Sequence, residues 1–287
     1  MSRLTALLAA AFFLLNVAAA AASSEQESIL MDDSQFVYGD AQNVDQRMAE
    51  AKALGFDRVR VSVQWRLLAP SPNSKQKPGG DSSDPKWYGQ GKWDRYDRIA
   101  TLAAKHGLGV LFSITGPSPL WATGTPEQGR SDVEDTWTPN PDYFRAFVTA
   151  IGRRYSGNYQ DEHQEPAVIP LLPPTKTMGP PLPRVDHWSI WNEPNHGGWL
   201  TPQWDGKPLV PQSPRIYRGL VDAAWAGLQD SGHGGDTILI GETSPTGINP
   251  GLTRGMRPLR FIRELYCLDG RLRLYTGAAA KARGCPE

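Results

Sequence analysis

The chain has 287 residues, and its 30 Lys and Arg are balanced by 30 Asp and Glu. A formal net charge of zero argues against a nucleic-acid-binding protein, which usually carries a basic excess on one face. The 39% of hydrophobic residues include 10 Trp, 9 Tyr and 8 Phe, enough for a large core. The 29 Gly and 25 Pro exclude a simple helical bundle and favour an enzyme with long connections.

The first 22 residues have the pattern of a signal peptide. Arg3 supplies a basic start, Leu4 to Val17 form an apolar run, and Ala18 to Ala22 are the small residues that precede a cleavage site. A membrane anchor is the alternative, but the run is shorter than the ~20 residues that span a bilayer. We therefore expect residues 23–287 to form a secreted domain without a membrane span after cleavage.

Short β-branched runs alternate with amphipathic stretches along the mature chain, and this pattern predicts a parallel sheet with intervening helices. A Pro-rich stretch, Gly157 to Arg184, interrupts the alternation and is expected to be a surface excursion. The predicted helices begin at Asn43, Trp93, Asn140, Ser213 and Pro258. The predicted strands are Gln35–Gly39, Arg58–Val63, Leu108–Ile114, Val185–Trp191 and Thr237–Gly241.

A polar cluster follows the predicted fourth strand, in the string Trp191-Asn192-Glu193-Pro194. The carboxyl ends of parallel strands form the active face of a barrel or an open α/β sheet. Glu193 has the same strand parity as Ser189 and Trp191. If that parity points inward, the Glu193 carboxyl lies at the mouth of the barrel, where a general acid could act.

This string resembles the acid/base motif of clan A glycoside hydrolases, and it is closest to the cellulase-like family 5 and its relatives. The resemblance implies a (β/α)8 TIM barrel that cleaves the O-glycosidic bonds of a β-linked poly- or oligosaccharide with retention of configuration. By the same resemblance, Glu193 is the general acid/base and Asn192 binds the sugar 2-hydroxyl. It implies that the partner is a carbohydrate and that neither a metal nor an organic cofactor is needed. It does not indicate an oligomeric state.

Further site residues are expected at the other strand ends. Val59-Arg60-Val61 is similar to the family's Val-Arg-Ile, whose Arg lies beneath the catalytic carboxylates; a structural ion pair is the alternative for Arg60. The indoles of Trp65, Trp121 and Trp199 could stack on sugar rings, or they could be ordinary core residues.

Glu242 ends the predicted fifth strand and is the second strand-end glutamate of the chain. A retaining glycosidase needs two carboxyls ~5–5.5 Å apart. The family takes its nucleophile from the seventh strand, so Glu242 is more readily a site-lining residue than the nucleophile, although both roles and a structural one stay open.

The C-terminal part of the sequence departs from the family pattern. A complete barrel takes ~250 residues or more, and the long loops here use that length on five strands. We therefore expect a barrel that is incomplete at its C-terminus, within a longer protein that contains the nucleophile. A carbohydrate-binding barrel without a nucleophile is the alternative function, and a secreted interaction scaffold is a third.

Cys267 and Cys285 are the two cysteines of the chain. In an exported protein they are expected to form a disulfide, which would stabilise the fold by about 3 kcal/mol through loop closure. Two free thiols are the alternative. The sequence argues against a zinc site, because two Cys with no His between or beside them cannot complete four ligands.

Overall fold

The computed structural model describes residues 26–89, 91–165, 175–206, 209–248 and 250–286. The predicted signal peptide, 1–22, lies outside these ranges. Five parallel strands form one sheet in which spatial order follows chain order. These strands are β1 (Ile29–Met31), β2 (Arg58–Gln64), β3 (Gly109–Thr115), β6 (His187–Ile190) and β9 (Thr237–Leu239). Two antiparallel hairpins lie outside it, β4–β5 (Glu162–Glu165 and Thr175–Met178) and β7–β8 (Trp204–Asp205 and Val210–Pro211).

Helices connect the strands of this sheet, and further helices follow its last strand. The helices are α1 (Asp33–Phe36), α2 (Ala41–Ala53), α3 (Trp65–Leu68), α4 (Asp94–Lys105), α5 (Pro141–Arg154), α6 (Ser213–Asp230), α7 (Pro258–Leu265) and α8 (Gly277–Arg283). Crossovers between parallel strands are right-handed, so a sheet whose strands follow chain order receives its helices on one side. Helix α2 packs on α4, and α6 packs on both α5 and α7. The architecture is therefore an α/β partial (β/α) barrel, as the sequence predicts.

The two faces of the sheet differ in chemistry because side chains alternate along each strand. The helix-covered face carries fully buried apolar residues, namely Val59, Val61, Val63, Phe112, Ile114, Trp188 and Ile190. The opposite face carries polar residues at its centre, namely Arg60, Ser62, Ser113 and Ser189. At the sheet edges the same inner face exposes three apolar side chains, Ile29, Met31 and Leu239.

Four predicted strands and four inter-strand helices are found within a few residues of their expected bounds. Asn140 caps α5 as predicted, since its side chain accepts a hydrogen bond from the Tyr143 amide. The predicted first strand, Gln35–Gly39, is wrong: Asp32 accepts a hydrogen bond from the Gln35 amide and starts the short helix α1, so the strand lies earlier, at Ile29–Met31. The α2 cap is Asp40 rather than Asn43.

The C-terminal part contains α7, a loop, α8 and the predicted disulfide. Cys267 and Cys285 are bonded, with an S–S distance of 2.14 Å. Within the described ranges, no strand of the main sheet follows β9; Leu268 and Leu274 form an isolated bridge. None of the helices described is long and apolar enough to cross a membrane.

Candidate active site

The backbone beyond β6 is bent, and this bend positions the Asn192 and Glu193 side chains. Trp191 and Glu193 have positive φ angles, 65° and 44°, which non-glycine residues adopt only where the surroundings impose them. The Trp191 amide donates to the Ile114 carbonyl at 2.8 Å and the Asn192 amide donates to Thr115 Oγ1 at 2.9 Å. The end of β3 therefore fixes this segment.

Contacts with the chain beyond β9 also hold the Asn192–Glu193 segment in place. The Glu193 amide donates to the Glu242 carbonyl at 2.9 Å, which brings the two glutamate backbones together. The Tyr217 hydroxyl on α6 donates to the Ile190 carbonyl at 2.7 Å and accepts from the Gly241 amide at 2.8 Å. Burial raises the pKa of Tyr217, so the hydroxyl stays protonated and keeps both bonds.

Arg60 lies at the centre of the polar cluster on the inner face. Its Nε donates to Glu242 Oε1 at 2.9 Å, and its Nη2 donates to Glu242 Oε2 at 2.6 Å. Nη2 also lies 3.2 Å from Asn192 Oδ1 and 3.0 Å from Ser113 Oγ. Side-chain exposure is 12% for Arg60 and 23% for Glu242, so the bidentate pair is shielded from water.

Asn192 and Glu193 keep atoms free for a ligand. The Asn192 amide oxygen faces Arg60, while its Nδ2 group has no acceptor among the described residues. Glu193 is half-buried, and within the described part of the chain its carboxylate has no hydrogen-bond or ion-pair partner. A sugar hydroxyl or a glycosidic oxygen could therefore reach both groups without breaking an existing bond.

The three candidate tryptophans lie in different surroundings. Trp65 is fully buried and stacks on Phe147, with ring centroids 5.5 Å apart and planes 9° apart. Trp121 is 6% exposed and packs edge-on against Trp65. Trp199 is half-buried, and its carbonyl accepts a hydrogen bond from the Trp191 indole at 3.1 Å. Trp65 and Trp121 thus belong to the aromatic core, and Trp199 is the least buried of the three and bonds Trp191, the neighbour of Asn192 in the chain.

Two supporting residues are missing from the sequence-based set. Ser113 Oγ donates to Glu242 Oε2 at 3.1 Å, and Asn195 bonds the segment beyond Glu242 through Ser244. Ser113 is a polar residue in the apolar run of β3, and it points to the same face as Ser62 and Ser189. This break in the run is the sequence feature that could have indicated its role. Asn195 is fully buried, and nothing in its local sequence indicates its long-range partners.

The described residues contain no group of three or more His, Cys, Asp or Glu that could hold a metal ion. The cluster consists instead of one guanidinium, two carboxylates, an amide and a hydroxyl. Such groups can bind a polar ligand, orient it and exchange a proton with it.

Comparison with known proteins shows structural likeness at low sequence identity. No protein-family model and no curated protein matches the chain. The solved structures it resembles include Fpglu1 from Fervidobacterium pennivoraus, with 16% identity, a TM-score of 0.43, and coverage of 68% of this chain and 40% of that one. A family 1 β-glucosidase from Thermotoga maritima has 14% identity, a TM-score of 0.39, and coverage of 68% and 36%.

A third structure is GH5_18 from Streptomyces cattleya in complex with GlcNAc, with 17% identity, a TM-score of 0.40, and coverage of 75% and 44%. The chain spans less than half the length of each of these three structures. The partial-barrel fold itself follows from the strand order and register described above.

Proposed function

We propose that the protein is a secreted glycoside hydrolase that cleaves β-linked glycosidic bonds, with Glu193 as its general acid/base. The observation that carries this proposal is the position of Asn192 and Glu193 at the carboxyl end of β6, beside the Arg60–Glu242 ion pair. The same string, Trp191-Asn192-Glu193-Pro194, resembles the acid/base motif of clan A glycosidases.

The proposed roles follow from the free atoms of each side chain. Glu193 donates a proton to the glycosidic oxygen as the C1–O bond breaks, and its carboxylate then removes a proton from the attacking water. Asn192 Nδ2 donates to the sugar 2-hydroxyl. Arg60 holds the Glu242 carboxylate in place through two hydrogen bonds, and Glu242 lines the site beside the sugar.

Retention requires a second carboxylate that attacks C1 and forms a glycosyl ester. A 2-fluoroglycoside with a good leaving group would trap that ester, and peptide mass spectrometry of the labelled protein would identify the nucleophile. A label on Glu242 would assign it the role; a label elsewhere would leave Glu242 as a site-lining residue.

The proposed export rests on residues 1–22 and agrees with the disulfide, because disulfides persist in oxidising compartments. Trp199 is the proposed sugar-contacting indole of the three candidates, since it is the least buried and its carbonyl bonds the indole of Trp191, which precedes Asn192.

The experiment that tests the function compares the wild type with Glu193→Gln on two aryl β-glycosides, one with a poor leaving group and one with a good leaving group. Loss of a general acid costs about 10²–10⁴-fold with the poor leaving group and less with the good one. Azide should restore turnover of the activated substrate by replacing the base-assisted water. Glu50→Gln, an exposed glutamate on α2, is the matched control. Equal rates for the wild type and Glu193→Gln would contradict the proposal.

A carbohydrate-binding protein without turnover is the second candidate function. It is favoured by the contacts of Glu242, because Arg60 and Ser113 already bind both of its carboxylate oxygens. In that case the wild type binds oligosaccharides without hydrolysing them, and Glu193→Gln leaves the affinity unchanged.

A further inference from the structure

A cavity of about 710 Å³ lies between the loops that follow β6 and β9. Its walls come from Trp204, from the segment around Ile248 and from the start of α7. Both loops follow the carboxyl ends of their strands, which is the same side of the sheet as the Arg60–Glu242 pair.

The cavity wall is strongly positive. It includes the side chains of Arg257, Arg260 and Arg263, and it includes no Asp or Glu among the described residues. Within the same ranges, the Arg257 and Arg263 guanidinium groups have no acidic partner. Arg260 lies over the Trp204 ring, 4.5 Å from its centroid, and 3.7 Å from Glu264 Oε1. Two of the three cations are therefore unpaired.

Trp204 adds an aromatic ring to this wall, beneath the Arg260 guanidinium. The residue is 2% exposed, so its ring is a fixed part of the wall. Guanidinium groups donate several hydrogen bonds and carry positive charge, so the group that satisfies the unpaired arginines is an acceptor-rich anion.

Asn195 connects this cavity to the candidate active site. It follows Glu193 by two residues, and its Nδ2 donates to the Ser244 carbonyl at 3.0 Å and to the Met256 carbonyl at 2.7 Å. Its Oδ1 accepts from the Ser244 amide at 2.7 Å, and its carbonyl accepts from the Met256 amide at 2.7 Å. Met256 lines the cavity, so four hydrogen bonds fix this wall relative to the Glu193 segment.

We propose that the cavity is a subsite for an acidic sugar, and that the ligand of the site is an anionic β-linked glycan bearing carboxylate or sulfate groups. This inference rests on the proposed glycoside hydrolase function for the identity of the ligand as a glycan. Arg257 and Arg263 bind the acidic group, while the Trp204–Arg260 stack and Ile248 form the wall against which the sugar ring packs.

The test measures binding to Glu193→Gln by titration calorimetry, so that affinity is read without turnover. The probes are two matched pairs, a glucuronic-acid-bearing xylotriose with plain xylotriose, and a sulfated galactotriose with its unsulfated form. We expect at least one acidic probe to bind 10-fold or more tightly than its neutral partner at 50 mM NaCl. That preference should shrink at 500 mM NaCl, because salt screens the charge interaction.

Arg257→Gln combined with Arg263→Gln should remove the acidic preference and leave the neutral affinity unchanged. Arg271→Gln combined with Lys281→Gln removes two exposed positive charges outside the cavity and is the matched control. A preference for the carboxylate probe or for the sulfate probe identifies the anion.

Two outcomes would overturn the inference: no preference for either acidic probe, or a preference that survives the double arginine substitution. Activity is scored separately on the wild type. Hydrolysis of neutral glycosides without an acidic preference rejects the subsite alone, whereas an acidic preference without hydrolysis of any probe rejects the hydrolase function and keeps the subsite.

Discussion

Arg58 and Arg60 lie two residues apart on β2, and both lie on the inner face of the sheet. Arg58 forms ion pairs at the amino ends of the strands, whereas Arg60 forms one at their carboxyl ends. Arg58 donates to both carboxylate oxygens of Glu27, at 2.9 Å and 3.0 Å, and to Asp186 at 2.9 Å. Arg60 makes the corresponding bidentate pair with Glu242. Both guanidinium groups are largely buried, with side-chain exposures of 7% and 12%.

The difference lies in what surrounds each pair. Glu27 and Asp186 precede β1 and β6, so Arg58 connects the amino ends of the strands. Arg60 reaches beyond the carboxyl ends, where Asn192 and Glu193 have free polar atoms. In barrels, the carboxyl end carries chemistry and the amino end carries stability. Similar ion pairs on one strand are therefore expected to respond differently when each is broken.

Among the variants that compare the two ends of the sheet, Arg60→Met is expected to have the largest effect, and that effect is on activity. Removing the guanidinium leaves Glu242 without its counter-charge and Asn192 without its contact, so kcat/KM should fall about 10²-fold, as when one preorganised donor is lost. Arg60→Lys should recover part of this, because a lysine keeps the charge and loses the bidentate geometry. Steady-state kinetics on an aryl β-glycoside measure both variants, and an unchanged kcat/KM for Arg60→Met would remove Arg60 from the site.

Arg58→Met should act on stability instead. Loss of a buried ion-pair partner can cost 3–5 kcal/mol, but Glu27 and Asp186 are 42% and 56% exposed and can be rehydrated, so we expect about 1–2 kcal/mol. Urea unfolding measures this free energy. kcat/KM should stay within about twofold of the wild type. A large kinetic defect with unchanged stability would show that the two ends of the sheet do not divide their roles in this way.

A smaller effect is expected from Ser113→Ala. The hydroxyl donates to Glu242 Oε2 at 3.1 Å and accepts from Arg60 Nη2 at 3.0 Å, so its loss should lower kcat/KM about 5-fold, the value of one hydrogen bond of about 1 kcal/mol.

Ser189→Ala is the matched control for Ser113→Ala. Ser189 pairs with Ser113 across β3 and β6, is fully buried, and has no hydrogen-bond partner within the described ranges. Its removal should leave kcat/KM unchanged and should not destabilise the fold, since it deletes a polar group that gains nothing from burial. Equal kinetic losses in the two alanine variants would assign Ser113 no specific contact.

The sheet could be predicted because local patterns determine it. Apolar alternation and helix caps predict β2, β3, β6 and β9, whereas β1 is three residues long and its sequence gives no alternation to detect. The alternation along β2 also predicts that Trp65 is a core residue. Trp65 continues the series Val59, Val61 and Val63 on the helix-covered face, and it is fully buried in the structure.

The candidate site could be predicted in part. The string around Glu193 and the position of Arg60 indicate a polar cluster at the strand ends, and the structure brings Arg60, Asn192 and Glu242 into contact there. The tethering of Met256 to Asn195 could not be predicted, because it joins residues 61 positions apart through backbone carbonyls. Such contacts depend on loop geometry and have no periodic signature.

The smallest expected effect is a loss of folding stability in acid, and it comes from the ion pairs of Arg58 with Glu27 and Asp186. The hydrogen bond from Arg58 lowers the pKa of Glu27 below its usual 4.5, although burial opposes this. Burial alone would raise the pKa of Asp186, but the hydrogen bond with His187 and the charge of Arg58 outweigh it and lower that pKa below 3.8. Arg58 thus contributes to lowering both pKa values, and the His187 ring lies 2.9 Å from Asp186 and 3.7 Å from Glu27.

A carboxylate whose pKa is depressed in the folded protein stabilises the fold above its unfolded pKa, and this contribution is lost as the pH falls through the folded pKa. The contributions of Glu27 and Asp186 should thus be complete above about pH 4.5 and decline below it. Urea midpoints at pH 6, 4.5 and 3.5 should show a gap between the wild type and Arg58→Met that narrows with acid. A gap that stays constant over this range would mean that Arg58 stabilises the strand ends through packing, with its charge contributing nothing measurable.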